Sequence, residues 1–142
     1  YARHVAGIKD ANSKEFDENA QHPVIDLMLE QKNVHGYGGT MRLGAYDCVL
    51  KKGSKAAKAY GKEKISERHR HRYEVNNEYL NQIAEAGLVF SGMSPDGMLA
   101  EVVELPNLDW FVACQFHPEF KSRPEHPHPL FKGLIDAVVN KK

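Results

Sequence analysis

The chain has little cysteine, no net charge and no long apolar run. Two cysteines in 142 residues are too few for the disulfide framework that staples small secreted domains. Lys plus Arg and Asp plus Glu each total 19, so the formal net charge is zero. That balance excludes the strongly basic character expected of a phosphate-tracking nucleic-acid binder. Apolar stretches fall far short of the ~20 residues that span a bilayer, and no signal-peptide pattern opens the sequence. There is no repeat, no low-complexity tract and no shift of composition that would mark a domain boundary. These absences imply a cytoplasmic chain of one domain's length, able to bury a core. Cys48 and Cys114 lie in apolar, strand-like settings and read as reduced, buried thiols.

What is present is an alternation of helical and strand-like patterns. Tyr1 to Val5 reads as a helix end, with Gly7 as its stop. Pro23 to Glu30 has helical apolar spacing with proline at its start. Gly36 to Gly39 is a flexible break, and Met41 to Leu50 reads as strand interrupted at Gly44. Ser54 to Tyr60 is a short helix, and Arg68 to Val75 alternates as a strand. Asn77 to Ala86 predicts a helix capped by Asn76 or Asn77 and stopped by Gly87. Leu88 to Gly92, Leu99 to Leu105 and Trp110 to Phe116 read as strands, the first two joined by the turn Ser94-Pro95-Asp96-Gly97. A final helix over Leu130 to Val139 carries an apolar stripe at Leu130, Leu134, Ile135 and Val138.

The most informative segment is Cys114-Gln115-Phe116-His117-Pro118-Glu119-Phe120. If strand geometry persists to its end, His117 and Glu119 share one face. A carboxylate can hold one imidazole nitrogen and leave the other free to take a proton, the base-plus-orienter half of a nucleophilic triad. Pro118 lacks an N–H and would end strand pairing there, and strand ends are where parallel α/β sheets build sites. The bland alternative is a surface ion pair. Cys114, in mid-strand and three residues from His117, has no sharp turn to expose it as a nucleophile.

Arg68-His69-Arg70-His71-Arg72 admits three readings. Nucleic-acid binding is diluted by Glu63, Glu67 and Glu74. A metal site from His69 and His71 lacks an evident third ligand. Carboxylate recognition suits the planar, bidentate guanidinium fork. His126-Pro127-His128-Pro129 reads as a solvated turn rather than a metal site. Arg42 could anchor a loop or an interface, and Gly44 serves backbone conformation.

Cys-Gln-Phe-His-Pro-Glu-Phe resembles the histidine–glutamate segment of class I glutamine amidotransferases. Gly38-Gly39-Thr40-Met41-Arg42-Leu43-Gly44 and Glu67-Arg68-His69-Arg70-His71-Arg72-Tyr73-Glu74-Val75-Asn76, with Tyr1 to Val5 and Ala11-Asn12-Ser13, are similar to the glutaminase domain of the CTP synthase family. The resemblance runs over nearly the whole chain and is weakest at 31–37 and 51–64. It implies an α/β fold, the three-layer class I amidotransferase domain. It also implies that residues 1–142 are the C-terminal portion of that domain, because no G-x-C-x-G nucleophile elbow occurs in them. The amidoligase (synthase) domain would then lie elsewhere on the same polypeptide.

By the same resemblance, His117 and Glu119 are catalytic, Glu15 contacts the amino group of the substrate glutamine and Arg72 its α-carboxylate. Arg68 and Arg70 stay open, with a salt bridge to a partner domain as the alternative. No cofactor is implied for this chain. The family implies ATP and Mg, with UTP and GTP as further ligands and a homo-oligomer, a tetramer, formed through the other domain. Ammonia released from glutamine would aminate UTP to CTP, while this chain by itself would be inactive. Two rivals remain: a purine-pathway amidotransferase, and a degenerate, non-catalytic interaction module.

Overall fold

A computed structural model describes residues 1–27 and 41–140. The chain divides into two compact units: Tyr1–Arg42 with His71–Leu88, and Leu43–Arg70 with Val89–Lys142.

The first unit opens on a helical turn, with the Val5 N–H donating to the Tyr1 carbonyl at 2.9 Å. Gly7, at φ +69°, ends it as expected. Three short strands follow: β1 (Ala11–Ser13), β2 (His22–Asp26) and β5 (Glu74–Val75), in the order β1-β2-β5. β1 and β2 run parallel, and β2 and β5 antiparallel. The helix expected from Pro23 is therefore a strand over 22–26, and the rest of that segment, from residue 28, lies outside the described residues, as does the break at 36–39. Helical spacing of apolar residues loses here to β-branched Val24 and Ile25 with neighbours on both sides. Asn76 N–H donates to the Val24 carbonyl at 2.9 Å, and Lys14 N–H to that of Ile25 at 3.0 Å. After β5, Asn76 caps a 3₁₀ turn (Asn77–Tyr79) by accepting from the Glu78 N–H. The turn leads into α2 (Leu80–Glu85), and Gly87, at φ +104°, follows it.

The second unit is built on a five-stranded sheet: β3 (Arg42–Leu50), β4 (Lys64–His71), β6 (Val89–Met93), β7 (Ala100–Glu104) and β8 (Val112–Cys114), in the order β4-β3-β6-β7-β8. The pairs β3–β6, β6–β7 and β7–β8 are all antiparallel. The strand preceding His117 thus ends in an antiparallel sheet, not the parallel one that the strand-end argument assumed. Ser94 and Gly97 close the β6–β7 hairpin, with the Gly97 N–H donating to the Ser94 carbonyl at 2.8 Å. β3 runs through Gly44, which bends the strand at φ +104° instead of ending it. Gly92 is required for close approach: a Cβ there would lie 2.8 Å from Val102 Cγ2 and 2.9 Å from Cys48 Sγ.

Helix α1 (Lys55–Tyr60) starts one residue later than expected, the Ser54 hydroxyl accepting from the Ala57 N–H as its cap. α1 and α3 (Pro129–Val139) pack on one another. The core joins Cys48, Leu50, Ala56, Ala57, Ile65, Val102, Phe116 and Leu130. The expected apolar stripe of α3 is not buried as a whole: Leu130 is, but Leu134, Ile135 and Val138 are 44, 59 and 62% exposed. The packed side of the helix is set instead by Gly133, whose bare Cα admits the Trp110 indole.

Candidate active site

His117 and Glu119 meet through a turn, not through strand alternation. β8 stops at Cys114, and residues 118–120 form a 3₁₀ turn with His117 at its N-cap and Pro118 in the first helical position. Proline's fixed φ and missing N–H suit that position. One residue inside the turn, the Glu119 carboxylate curls back, its Oε1 reaching 2.7 Å from His117 Nδ1. The pair is partly open to solvent. The Phe120 ring stacks on the imidazole, nearly parallel to it, with the ring centres 4.8 Å apart. The hydrogen bond to His117 holds the Glu119 carboxyl below the usual carboxylate range, helped by the backbone N–H of Glu119 itself. An ionised Glu119 keeps the proton on Nδ1 and leaves Nε2 as the basic nitrogen.

Glu15 and Arg72 belong to the first unit, and His117 and Glu119 to the second. Glu15 is exposed in the turn after β1, its N–H donating to the Ser13 hydroxyl at 3.2 Å. Arg72 is half-buried in the break between β4 and β5. The expected continuous strand over 68–75 is thus two strands, with Arg72 in the chain between them.

Along β4 the alternation is as read, with Arg68 and Arg70 exposed and Ile65, Glu67 and His69 buried. His69 Nε2 lies 3.7 Å from Glu101 Oε2, inside the core. His71 Nδ1–H donates to the Tyr73 carbonyl at 3.1 Å. Among the described residues, no group of three or more His, Cys, Asp and Glu side chains could hold a metal ion. Arg42 is buried, its Nη1 3.3 Å from Glu74 Oε1, both residues within the first unit.

His128 corrects the reading of the His-Pro-His-Pro segment. It is only 2% exposed, not solvated. Its Nδ1 accepts from the Leu130 N–H, capping α3, and its Nε2 lies 3.0 Å from the Tyr60 hydroxyl and 3.4 Å from Glu67 Oε1. The Tyr60 hydroxyl donates to Glu67 at 3.0 Å. Burial would push the Glu67 carboxyl up, but hydrogen bonds from His128 and Tyr60, reinforced by the Lys121 charge, bring it below its ordinary value. The sequence signal was available: Glu67 falls on the buried parity of β4, between Ile65 and His69, where a carboxylate needs donors.

Neither cysteine is arranged as a nucleophile. Cys48 is 1% exposed in mid-strand. Burial pushes the Cys114 thiol up to about 12, and its Sγ faces the Phe116 carbonyl at 3.4 Å. Attack requires the thiolate.

The second unit's antiparallel sheet with its histidine–glutamate turn has a family counterpart. The glutamine amidotransferase class-I model matches residues 10–137, and the chain belongs to that family. Within it, the chain is similar to CTP synthases. The chain is 65% identical to that of Fibrobacter succinogenes, over all of this chain and 26% of the relative. It is 59% identical to that of Bacillus subtilis, over 98% of this chain and 26% of the relative. The chain thus spans about a quarter of these relatives' length. Its fold matches the solved Trypanosoma brucei CTPS glutaminase domain with bound acivicin, with a TM-score of 0.90 and 40% identity over 99% of this chain and 55% of that one. No helix among the described residues is long and apolar enough to cross a membrane.

Proposed function

We propose that residues 1–142 are the C-terminal portion of a glutaminase domain that releases ammonia for the amination of UTP to CTP. The observation that carries this reading is the 2.7 Å bond between His117 and Glu119 at a fixed turn. His117 Nε2 takes the proton from an attacking thiol and returns one to the departing ammonia. Glu119 orients the ring and steadies the imidazolium. The thiol comes from outside these 142 residues, since Cys48 and Cys114 are both unsuited. Glu15 meets the substrate's ammonium group and Arg72 its α-carboxylate, each by charge complementarity. ATP, magnesium and UTP bind on a separate synthase domain, GTP acts in the same enzyme, and assembly into a cytoplasmic tetramer runs through that other domain.

The test compares nitrogen sources in the full-length polypeptide. His117→Ala is expected to lower glutamine-dependent CTP formation by ~10³-fold or more, in line with losses seen when one member of a catalytic unit is removed. Arg72→Ala is expected mainly to raise the KM for glutamine. Both variants should aminate UTP from free ammonia at the unmodified rate. Equal loss with both nitrogen sources would refute the assignment.

A further inference from the structure

The turn that carries His117 and Glu119 is fastened to β4 at both ends. At its start, the His117 N–H donates to the Arg68 carbonyl at 2.9 Å. At its end stands Lys121, whose own N–H donates to the Pro118 carbonyl at 3.1 Å and closes the turn. The Lys121 ammonium reaches back to the same strand, donating to the Ser66 carbonyl at 2.6 Å and lying 3.3 Å from Glu67 Oε1. Glu67 is itself only 2% exposed and fixed by Tyr60 and His128, so the ammonium meets an immobile carboxylate. Three consecutive residues of β4, Ser66 to Arg68, thus hold both ends of the turn.

We infer that Lys121 and Glu67 are positioning residues that clamp the His117–Glu119 turn in its reactive geometry. The inference rests on the glutaminase reading above. Its physical basis is the steep dependence of proton transfer on placement, where an error of about 1 Å can cost ~10²-fold in rate. Without the ammonium, the Lys121 end of the turn keeps only backbone bonds and Pro118. Glu119 stays paired with His117, but the pair moves as one body relative to β4. The Lys121 side chain is 43% exposed. Glu67 keeps its Tyr60 and His128 contacts when the ammonium is removed, and a half-exposed lysine contributes only modestly to folding, which separates positioning from a merely structural role.

The experiment uses the full-length polypeptide and measures glutamine hydrolysis, ammonia-dependent amination and thermal unfolding together. Lys121→Met is expected to lower kcat for glutamine by ~10- to 100-fold, with KM and ammonia-dependent amination unchanged and the melting temperature lowered by no more than a few degrees. Lys121→Arg should restore most of kcat. Glu67→Gln combined with Lys121→Met should be little worse than the more impaired single variant, because the two act as one unit. If Lys121→Met hydrolyses glutamine at the unmodified kcat while His117→Ala does not, the clamp is refuted and the glutaminase reading stands. If His117→Ala retains hydrolysis, both fall.

Discussion

Nε2 of His128 lies 3.0 Å from the Tyr60 hydroxyl oxygen, and the partner of the other ring nitrogen fixes which of the two carries the proton. Nδ1 accepts the Leu130 N–H at 3.2 Å and so is bare. The proton is on Nε2, pointing to Tyr60 and Glu67. One imidazole therefore caps a helix and supports Oε1 of a buried carboxylate at once.

Graded losses of stability follow from this double use. Tyr60→Phe removes one donor to Glu67 and should cost ~1–2 kcal/mol. His128→Ala removes the second donor and the helix cap together, and should cost ~1–2 kcal/mol more than Tyr60→Phe. His128→Asn keeps a capping oxygen and should fall between them. Urea unfolding of the three variants checks the order. A His128→Ala variant no weaker than Tyr60→Phe would contradict the network.

Glu67 also predicts a pH dependence. Its folded-state pKa lies below the ordinary 4.5. Between that lower value and 4.5 the unfolded chain binds more protons than the folded one, so stability rises with pH across this window and levels off above it. The stability gap between the unmodified protein and Glu67→Gln should therefore be full at neutral pH. It should shrink as pH falls below about 4.5 toward the folded value. Unfolding curves of both proteins across that range test it, and a gap that widens toward acid would reverse the sign of the argument.

Much of this structure was legible in local chemistry. Asn76 before Asn77 and Ser94-Pro95-Asp96-Gly97 announce a cap and a turn through side chains acting on their own backbone, and both stand where expected, while Ser54, read as the first helical residue, is the cap of a helix that starts at Lys55. Val24 and Ile25 misled because helical spacing cannot reveal that strands will flank them on both sides. The His117–Glu119 contact was expected from the right residues for the wrong geometric reason. A separation of two suits a strand, but Pro118 starts a 3₁₀ turn that brings the side chains together differently. His128 was misread because a proline-rich flank suggests solvent, whereas burial depends on α1 and β4, remote in sequence. Whether Glu15 and Arg72 serve the same substrate is a long-range matter that neither residue's neighbours encode.

Gly133 offers a test of core packing. A Cβ at this position would overlap the Trp110 indole, a rigid ring rather than a flexible chain end. Helix propensity alone would make Gly133→Ala stabilising by ~1 kcal/mol. Overpacking against Trp110 should outweigh that and leave the variant ~1–3 kcal/mol less stable. Trp110 is the only tryptophan in the chain, so its fluorescence reports the displacement directly. A Gly133→Ala variant that is more stable, with unchanged emission, would show that the ring has room to move.

The 142-residue chain by itself should not hydrolyse glutamine. On the proposed reading His117 is a base whose thiol partner is neither Cys48 nor Cys114. With burial pushing the Cys114 pKa up to about 12, its thiol stays protonated at pH 7. Cys48 is enclosed by the core, and even a formed thiolate there would have no access to substrate. The two properties can be measured together with a cysteine alkylator. Under native conditions both thiols should react far more slowly than in denaturant, and no glutamate should accumulate with glutamine before or after treatment. Glutamine turnover that alkylation abolishes would make one of these cysteines the nucleophile, and would remove the need for a thiol from elsewhere on the polypeptide.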